Sequence, residues 1–350
     1  MSWNTYVERR INLNNPQEVA EIKGFLQAFS LDYDGQVDYT VGLYDHHDKL
    51  VGTGSLHGEV LRNMAVDESL QGEGLTGTIV GHLIREAAAR NIYHYFIFTQ
   101  PKKVKMFEGL GFVEIARAEP YAAVLESGMG SIDYFCASIA KQAEKLPDGP
   151  RAAIVVNCNP FTLGHKSLIA KAAREMPVIV FVVQEDASLF PFDVRLRLVR
   201  EGLAEFDNVL VVAGGKYIIS AATFPAYFTR AEDLVAAQTR LDATVFAAKI
   251  AGKLNIVRRY VGEEPYCEVT SAYNRSMAEI LPDYGLELVT IPRTGTDRGE
   301  IISASKVREC LRQDDWDALT KMVPQSTLDY LTSPQAKPII DKIKNSQSRH

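Results

Sequence analysis

Apolar and polar residues follow two rhythms along the chain, and the change falls at a polar stretch, residues 141–150, that ends in Pro147-Asp-Gly-Pro150. Before it, short alternating runs predominate. Residues 38–44 and 50–56 read as a hairpin around Asp45-His-His-Asp48, and residues 61–66 as a further strand. Ile79, Val80, Leu83, Ile84 and Ala87 then recur at helical spacing. Residues 93–99 predict another strand, 103–110 a short helix stopped by Gly111, and 112–115 one more strand. An antiparallel-rich α+β module over residues 1–140 is expected.

After the stretch, apolar strands alternate with helices. Residues 152–157, 178–183, 209–213 and 286–291 read as strands, with another beginning at 259. Helices are expected over 164–174, 194–206 and 303–313. Continuously apolar strands separated by helices predict a parallel sheet covered on both faces, an α/β domain over residues 150–350. Ligands of such sheets bind beyond the carboxyl ends of the strands. The polar segment 342–350 is expected to fray.

Composition removes several classes of function. A net charge of -6 argues against a non-specific nucleic-acid binder, which needs a basic face. No apolar run approaches the ~18 residues of a membrane helix. The opening Met1-Ser-Trp-Asn-Thr-Tyr-Val-Glu lacks the pattern of a signal peptide. A cytoplasmic protein with neither membrane nor nucleic-acid partners is expected. Cys136, Cys158, Cys267 and Cys310 form no CxxC pair, and His46, His47, His57, His82 and His94 have no metal-type spacing. No protein metal site is expected.

Two helix starts carry the chemistry. Asn159-Pro-Phe-Thr-Leu-Gly-His165 follows an apolar strand and opens a helix. Free N–H groups and the positive dipole end suit an anion there, with Thr162 and His165 as further donors. An ordinary strand–helix turn capped by Thr162 fits the same residues. Ile302-Ser-Ala-Ser-Lys-Val-Arg308 also opens a helix. Ser303 and Ser305 offer hydroxyls, and Arg308 a planar fork for phosphate oxygens. Two such starts in one sheet point to a triphosphate.

Together the motifs resemble the cytidylyltransferase-like nucleotidyltransferase superfamily, with its (His/Thr)-x-Gly-His and Ile-Ser-Ser-Thr-x-x-Arg patterns. Thr162-Leu-Gly-His165 fits the first; the second fits except that Ala304 stands for a serine, which removes one hydroxyl. Residues 184–195, Tyr260-Val-Gly-Glu-Glu-Pro-Tyr266 and Val269-Thr-Ser-Ala-Tyr-Asn274 further resemble the citrate lyase ligase family. That resemblance covers nearly the whole chain. It implies a Rossmann-like nucleotidyltransferase domain that uses ATP, with Mg²⁺ carried mainly on the phosphates, to activate acetate as acetyl adenylate. The acetyl group then passes to the thiol of the CoA-like prosthetic group on the citrate lyase acyl carrier (gamma) subunit, with release of AMP and pyrophosphate. It implies Asn159, Pro160, Phe161, Thr162, Gly164, His165, Gly262, Glu263, Ser303, Ser305 and Arg308 as nucleotide-binding residues, and His165, Lys306 and Arg308 as catalytic ones. Arg195 suits either the leaving phosphates or a surface ion pair; Glu263 and Glu264 suit a ribose, a metal or solvent.

In the first half, Gln71-Gly-Glu-Gly-Leu-Thr76 lies between a strand and an amphipathic helix. With Lys105-Met-Phe-Glu-Gly-Leu-Gly-Phe112 it resembles the GNAT acyl-CoA-binding fold, with Thr76 where that family has a small residue. Gln71, Gly72, Gly74 and Thr76 would then hold the phosphates of an acyl-CoA-like arm in a domain retained without acetyltransferase activity. Two other functions fit these patterns: a nucleotidyltransferase that adenylylates a phosphate acceptor, and a sensor that binds acyl-CoA without consuming ATP.

Overall fold

The computed structural model describes residues 6–184, 188–220, 223–263, 268–292, 295 and 301–346. The chain forms two compact units: Met1–Tyr134 with Phe224–Leu241, and Phe135–Thr223 with Asp242–His350.

The first unit is built from β1 (Val7–Arg10), α1 (Pro16–Gln27), β2 (Tyr39–Tyr44), β3 (Leu50–His57), β4 (Val60–Val66), α2 (Leu75–Ala89), β5 (His94–Thr99), α3 (Val104–Glu108), β6 (Val113–Ala118) and β7 (Ala122–Gly128). Its sheet runs β1-β2-β3-β4-β5-β7-β6, antiparallel except where β4 meets β5. The expected hairpin is β2–β3, whose strands pair Tyr39 with Leu56. α2 packs on the sheet through Leu75, Ile79, Val80, Leu83 and Ala87, all buried, because its apolar residues share one face. The strand β7 was not apparent in the sequence. Ala122, Ala123, Val124 and Leu125 are all buried, and strands covered on both faces lose the alternating signature.

Most of α4 (Ile132–Ala143) belongs to the second unit, which continues with β8 (Arg151–Val156), α5 (Leu163–Ala173), β9 (Val178–Val182), α6 (Phe192–Gly202) and β10 (Val209–Ala213). The helix α7 (Leu234–Val245) begins in the first unit and ends in the second. Then come β11 (Ile256–Gly262), α8 (Glu268–Ile280), β12 (Glu287–Ile291), α9 (Ala304–Gln313), α10 (Trp316–Thr320), α11 (Gln325–Thr332) and α12 (Lys337–Asn345). The five strands run parallel in the order β10-β9-β8-β11-β12. The order reverses direction at β8, so a crevice opens at its carboxyl end, where ligands of such sheets bind.

Two expectations are corrected. Of the segment 342–350 read as fraying, residues 342–345 are helical: Ile339 and Ile343 of α12 are buried, and Arg312 donates to the carbonyls of Ile343 and Ser346, while residues 347–350 lie outside the described residues. α6 ends at Gly202 because Leu203 leaves the helical conformation at φ -114°, so Leu203 and Phe206 lie beyond it.

Candidate active site

Continuous burial of Ala152, Ala153 and Ile154 fixes β8 in the middle of the sheet, and the chain leaves it into Asn157, Cys158 and Asn159. Cys158 has φ 55°, in the left-handed region, as the chain leaves the strand, and the Asn159–Pro160 peptide is cis. Burial pushes the Cys158 thiol well above the usual range, which leaves it a small apolar group rather than a nucleophile. Asn159 Oδ1 accepts from the Phe190 N–H at 3.0 Å, and Thr327 Oγ1 donates to the Phe161 carbonyl at 2.9 Å. Pro160 and Phe161 are buried beneath this turn.

Thr162 caps α5, with His165 at the third helical position. The His165 N–H donates to Thr162 Oγ1 at 3.4 Å, and the Thr162 N–H to His165 Nδ1 at 3.2 Å. The cap and the histidine are therefore one unit. Because Nδ1 accepts, the proton of the neutral imidazole is assigned to Nε2. The ring also stacks over Phe161, with centroids 6.1 Å apart.

The second motif meets the first directly. Ser303 caps α9 by accepting from the Lys306 N–H at 3.2 Å. Arg308 is 3% exposed; it donates through Nη1 to the Asn159 carbonyl, and through Nη2 to Ser305 Oγ at 3.2 Å. Burial, with the Arg312 charge beside it, lowers its pKa. A Cβ on Gly164 would lie 3.0 Å from the Ile302 carbonyl, so glycine allows the two helix starts to approach. Thr162, Gly164, His165, Ser303, Ser305 and Arg308 are thus brought together. Lys306 is exposed at the same helix start.

Gly262 and Glu263 end the neighbouring strand. Arg259 of β11 pairs with Ala153, and continuing that register sets Gly262 level with Val156, the last residue of β8. The Gly262 carbonyl accepts from Asn274 at 3.3 Å, and the Glu263 N–H donates to the Ile291 carbonyl at 3.0 Å. Glu264, and Asp186 within the segment 184–195, lie outside the described residues.

Arg195 meets neither expectation. It is wholly buried and donates to the carbonyls of Phe190, Asn157 and Val183 at 3.0, 2.8 and 2.9 Å. It therefore holds together the loops after β8 and β9. A groove of about 1130 Å³ in the second unit also lies apart from Thr162, His165 and Arg308. It follows α5 and α9, lined by Lys166, Arg174, Glu309 and Gln313, and takes in only Leu163, Ile302 and Lys306 from the motifs. Convergent donors, rather than this groove, mark the candidate site.

In the first unit, Gly72 and Gly74 have φ of 95° and 81°, conformations that favour glycine. Gly74 stands at the N-terminus of α2 without a side-chain cap, Gln71 is exposed, and Thr76 is half-buried. Glu73, between the two glycines, accepts from the Tyr6 hydroxyl at 2.8 Å. Sequence reasoning overlooked this acidic residue in a loop read as phosphate-binding.

Residues 13–125 match the acetyltransferase (GNAT) domain family, and residues 151–331 the citrate lyase ligase C-terminal domain. The chain is 35% identical to the citrate (pro-3S)-lyase ligase of Klebsiella pneumoniae, over 93% of this chain and 96% of that protein. It is 36% identical to the corresponding ligase of Haemophilus influenzae, over 90% of this chain and 95% of that protein. A shorter stretch, 18% of this chain, is 37% identical to 41% of the phosphopantetheine adenylyltransferase of Methylococcus capsulatus. With a seven-stranded GNAT sheet, a parallel nucleotidyltransferase-like sheet and relatives matched almost end to end, the chain belongs to the citrate lyase ligase family.

Proposed function

We propose that the protein is a citrate (pro-3S)-lyase ligase that activates acetate with ATP and acetylates the prosthetic-group thiol of the citrate lyase acyl carrier subunit. The observation that carries this reading is the joining of two donor-bearing helix starts, through Arg308 and Asn159, at the carboxyl edge of β8. The near full-length likeness to named ligases supports the choice of reaction.

An acetate oxygen forms a bond to the α-phosphorus of ATP while the bond to the bridging oxygen breaks, and pyrophosphate leaves with that electron pair. The carrier thiolate then attacks the acetyl carbon and AMP leaves. The first step needs alignment and charge neutralisation rather than a protein nucleophile. In this reading the α5 N–H groups, Thr162 and His165 Nε2–H donate to phosphate oxygens. Ser303, Ser305 and exposed Lys306 meet them from α9. Arg308 both positions the first motif and supplies positive charge beside it. Gly262 and Glu263 would lie along the ribose. Mg²⁺ would enter on the triphosphate. Gln71, Gly72, Gly74 and Thr76 would hold the phosphates of the carrier's CoA-like arm at the start of α2. These residue roles, the domain limits 1–140 and 150–350, and a cytoplasmic location belong to the same proposal.

The test measures pyrophosphate release from ATP with acetate, propionate, citrate or no acid, with and without deacetylated carrier. Acetate-dependent release and acetylation of the carrier thiol are expected. Release that ignores added carboxylate would overturn the reading.

A further inference from the structure

The sheet of the first unit comes apart in the middle. β4 and β5 run parallel but pair at two positions only, Val60 with Phe96 and Leu61 with Ile97. The Phe96 N–H still donates across to the Glu59 carbonyl, at 3.0 Å. Two residues on, Phe98 points the same way, because strand residues alternate in direction. There β4 has already turned aside: Asn63 has φ 53°, and its side chain donates to the Asp32 carbonyl at 2.8 Å. Backbone groups on both strands therefore face a slot, and buried backbone groups need partners.

The partner comes from far along the chain. The Tyr227 hydroxyl donates to the Phe98 carbonyl at 2.8 Å, and the phenol is buried. The phenol thus takes the place of a β4 ladder partner at Phe98 of β5. Phe224 meets the Phe98 ring edge-on at 5.9 Å, and the Arg62 guanidinium lies over the Tyr227 ring at 5.0 Å. Arg62, 2% exposed, is itself held by Asp34 and by the Gln36 carbonyl. The Asp32 N–H donates to the Tyr227 carbonyl at 2.8 Å, and Phe224, Tyr227 and Phe228 are all buried. The strap has no strand of its own: Ala226–Phe228 is a single 3₁₀ turn, joined to the sheet by side chains and to the loop between α1 and β2 by a backbone bond from Asp32.

We infer that the aromatic strap Phe224–Phe228 is a gate seated in the β4–β5 slot, and that it must withdraw for an amide-bearing thioester arm to enter. An extended arm with amides would use the same backbone group, the Phe98 carbonyl, as an added strand does. Tyr227 and the arm therefore exclude one another. The Gln71–Thr76 loop follows β4 directly in sequence, so an arm whose phosphates lay there would reach this slot. The inference rests on the proposed role of the first unit in holding the carrier's arm. It adds that the unit does so only with the strap displaced.

The test titrates CoA, as a stand-in for the arm, into the full-length protein and into Tyr227→Phe and Tyr227→Ala variants. Thermal melts verify that each is folded. If the strap is seated most of the time, apparent affinity for CoA is lowered by the fraction open. Tyr227→Ala should then bind roughly tenfold tighter, and Tyr227→Phe should shift the same way by less. Acetate-dependent pyrophosphate exchange should be unchanged in both. Equal affinity in folded wild type and variants overturns the gate and leaves the arm site standing. Weaker binding in the variants overturns the gate by making Tyr227 part of the site. Binding to none of the three removes both the gate and the arm site, while retained exchange activity still speaks for the ligase.

Discussion

Arg308 of the second motif donates to the main-chain carbonyl of Asn159 in the first, a contact that spans most of the second unit's sequence. Each motif alone is a capped helix start. Joined, they become one surface of donors. A guanidinium suits this task because it can reach the Asn159 carbonyl and the Ser305 hydroxyl in one plane.

Arg308→Lys should therefore fail to restore the site. A single ammonium cannot span both acceptors, and adenylate formation should fall roughly 100-fold or more, the loss typical of one preorganised donor. Arg308→Ala should in addition lower stability by about 1–3 kcal/mol, because the buried Asn159 carbonyl loses its donor. Exchange assays and urea melts measure the two effects. A fully active Arg308→Lys would reduce the residue to a simple positive charge.

His165→Ala should cut adenylate formation roughly 100–1000-fold while the protein stays folded. Nδ1 accepts from the Thr162 N–H at 3.2 Å, so in the proposed role the neutral ring donates through Nε2. Near-wild-type turnover would leave His165 as the closing half of a capping box.

Gly164→Ala tests the approach of the two helix starts. Its Cβ would lie 3.0 Å from the Ile302 carbonyl, so the starts must part by a few tenths of an ångström. Small misplacements of aligned groups are costly, and a loss of roughly tenfold to 100-fold is expected. Unchanged kinetics would mean that this spacing does not govern the reaction.

The two motifs and the parallel sheet were legible in the sequence because each is local: an apolar strand, a turn and a capped helix within a few residues. The meeting of Arg308 with Asn159 was not, since nothing in either segment names its partner. Arg195 was misread for a related reason. An arginine early in an amphipathic helix reads as solvated or phosphate-facing, yet here it is the buried tie between two loops. The aromatic strap carried no periodic signal. Residues 224–241 interrupt the second unit's sequence and belong to the first, which a linear division of the chain could not reveal.

Asp242 and Arg259 give a pH prediction. Both are buried, 3.9 Å apart, and burial raises the Asp242 pKa to about 6 despite the arginine. The unfolded carboxyl titrates near 3.8, so between the two values the folded protein holds the extra proton. Stability contributed by this group therefore falls as pH rises through the window and is level above it. Relative to Asp242→Asn, wild type should lose up to about 3 kcal/mol between pH 4 and pH 6.5. Urea melts of both proteins across that range measure the difference. A gap independent of pH would mean that Asp242 is ionised throughout.

The central claim is that the joined helix starts activate a carboxylate. ATP–pyrophosphate isotope exchange reads it most directly, since exchange requires a reversible adenylate and no carrier. The full-length protein should catalyse exchange with acetate present, none without it, and little in Arg308→Lys. Exchange that needs no carboxylate and responds instead to a phosphate acceptor such as 4′-phosphopantetheine would contradict the account.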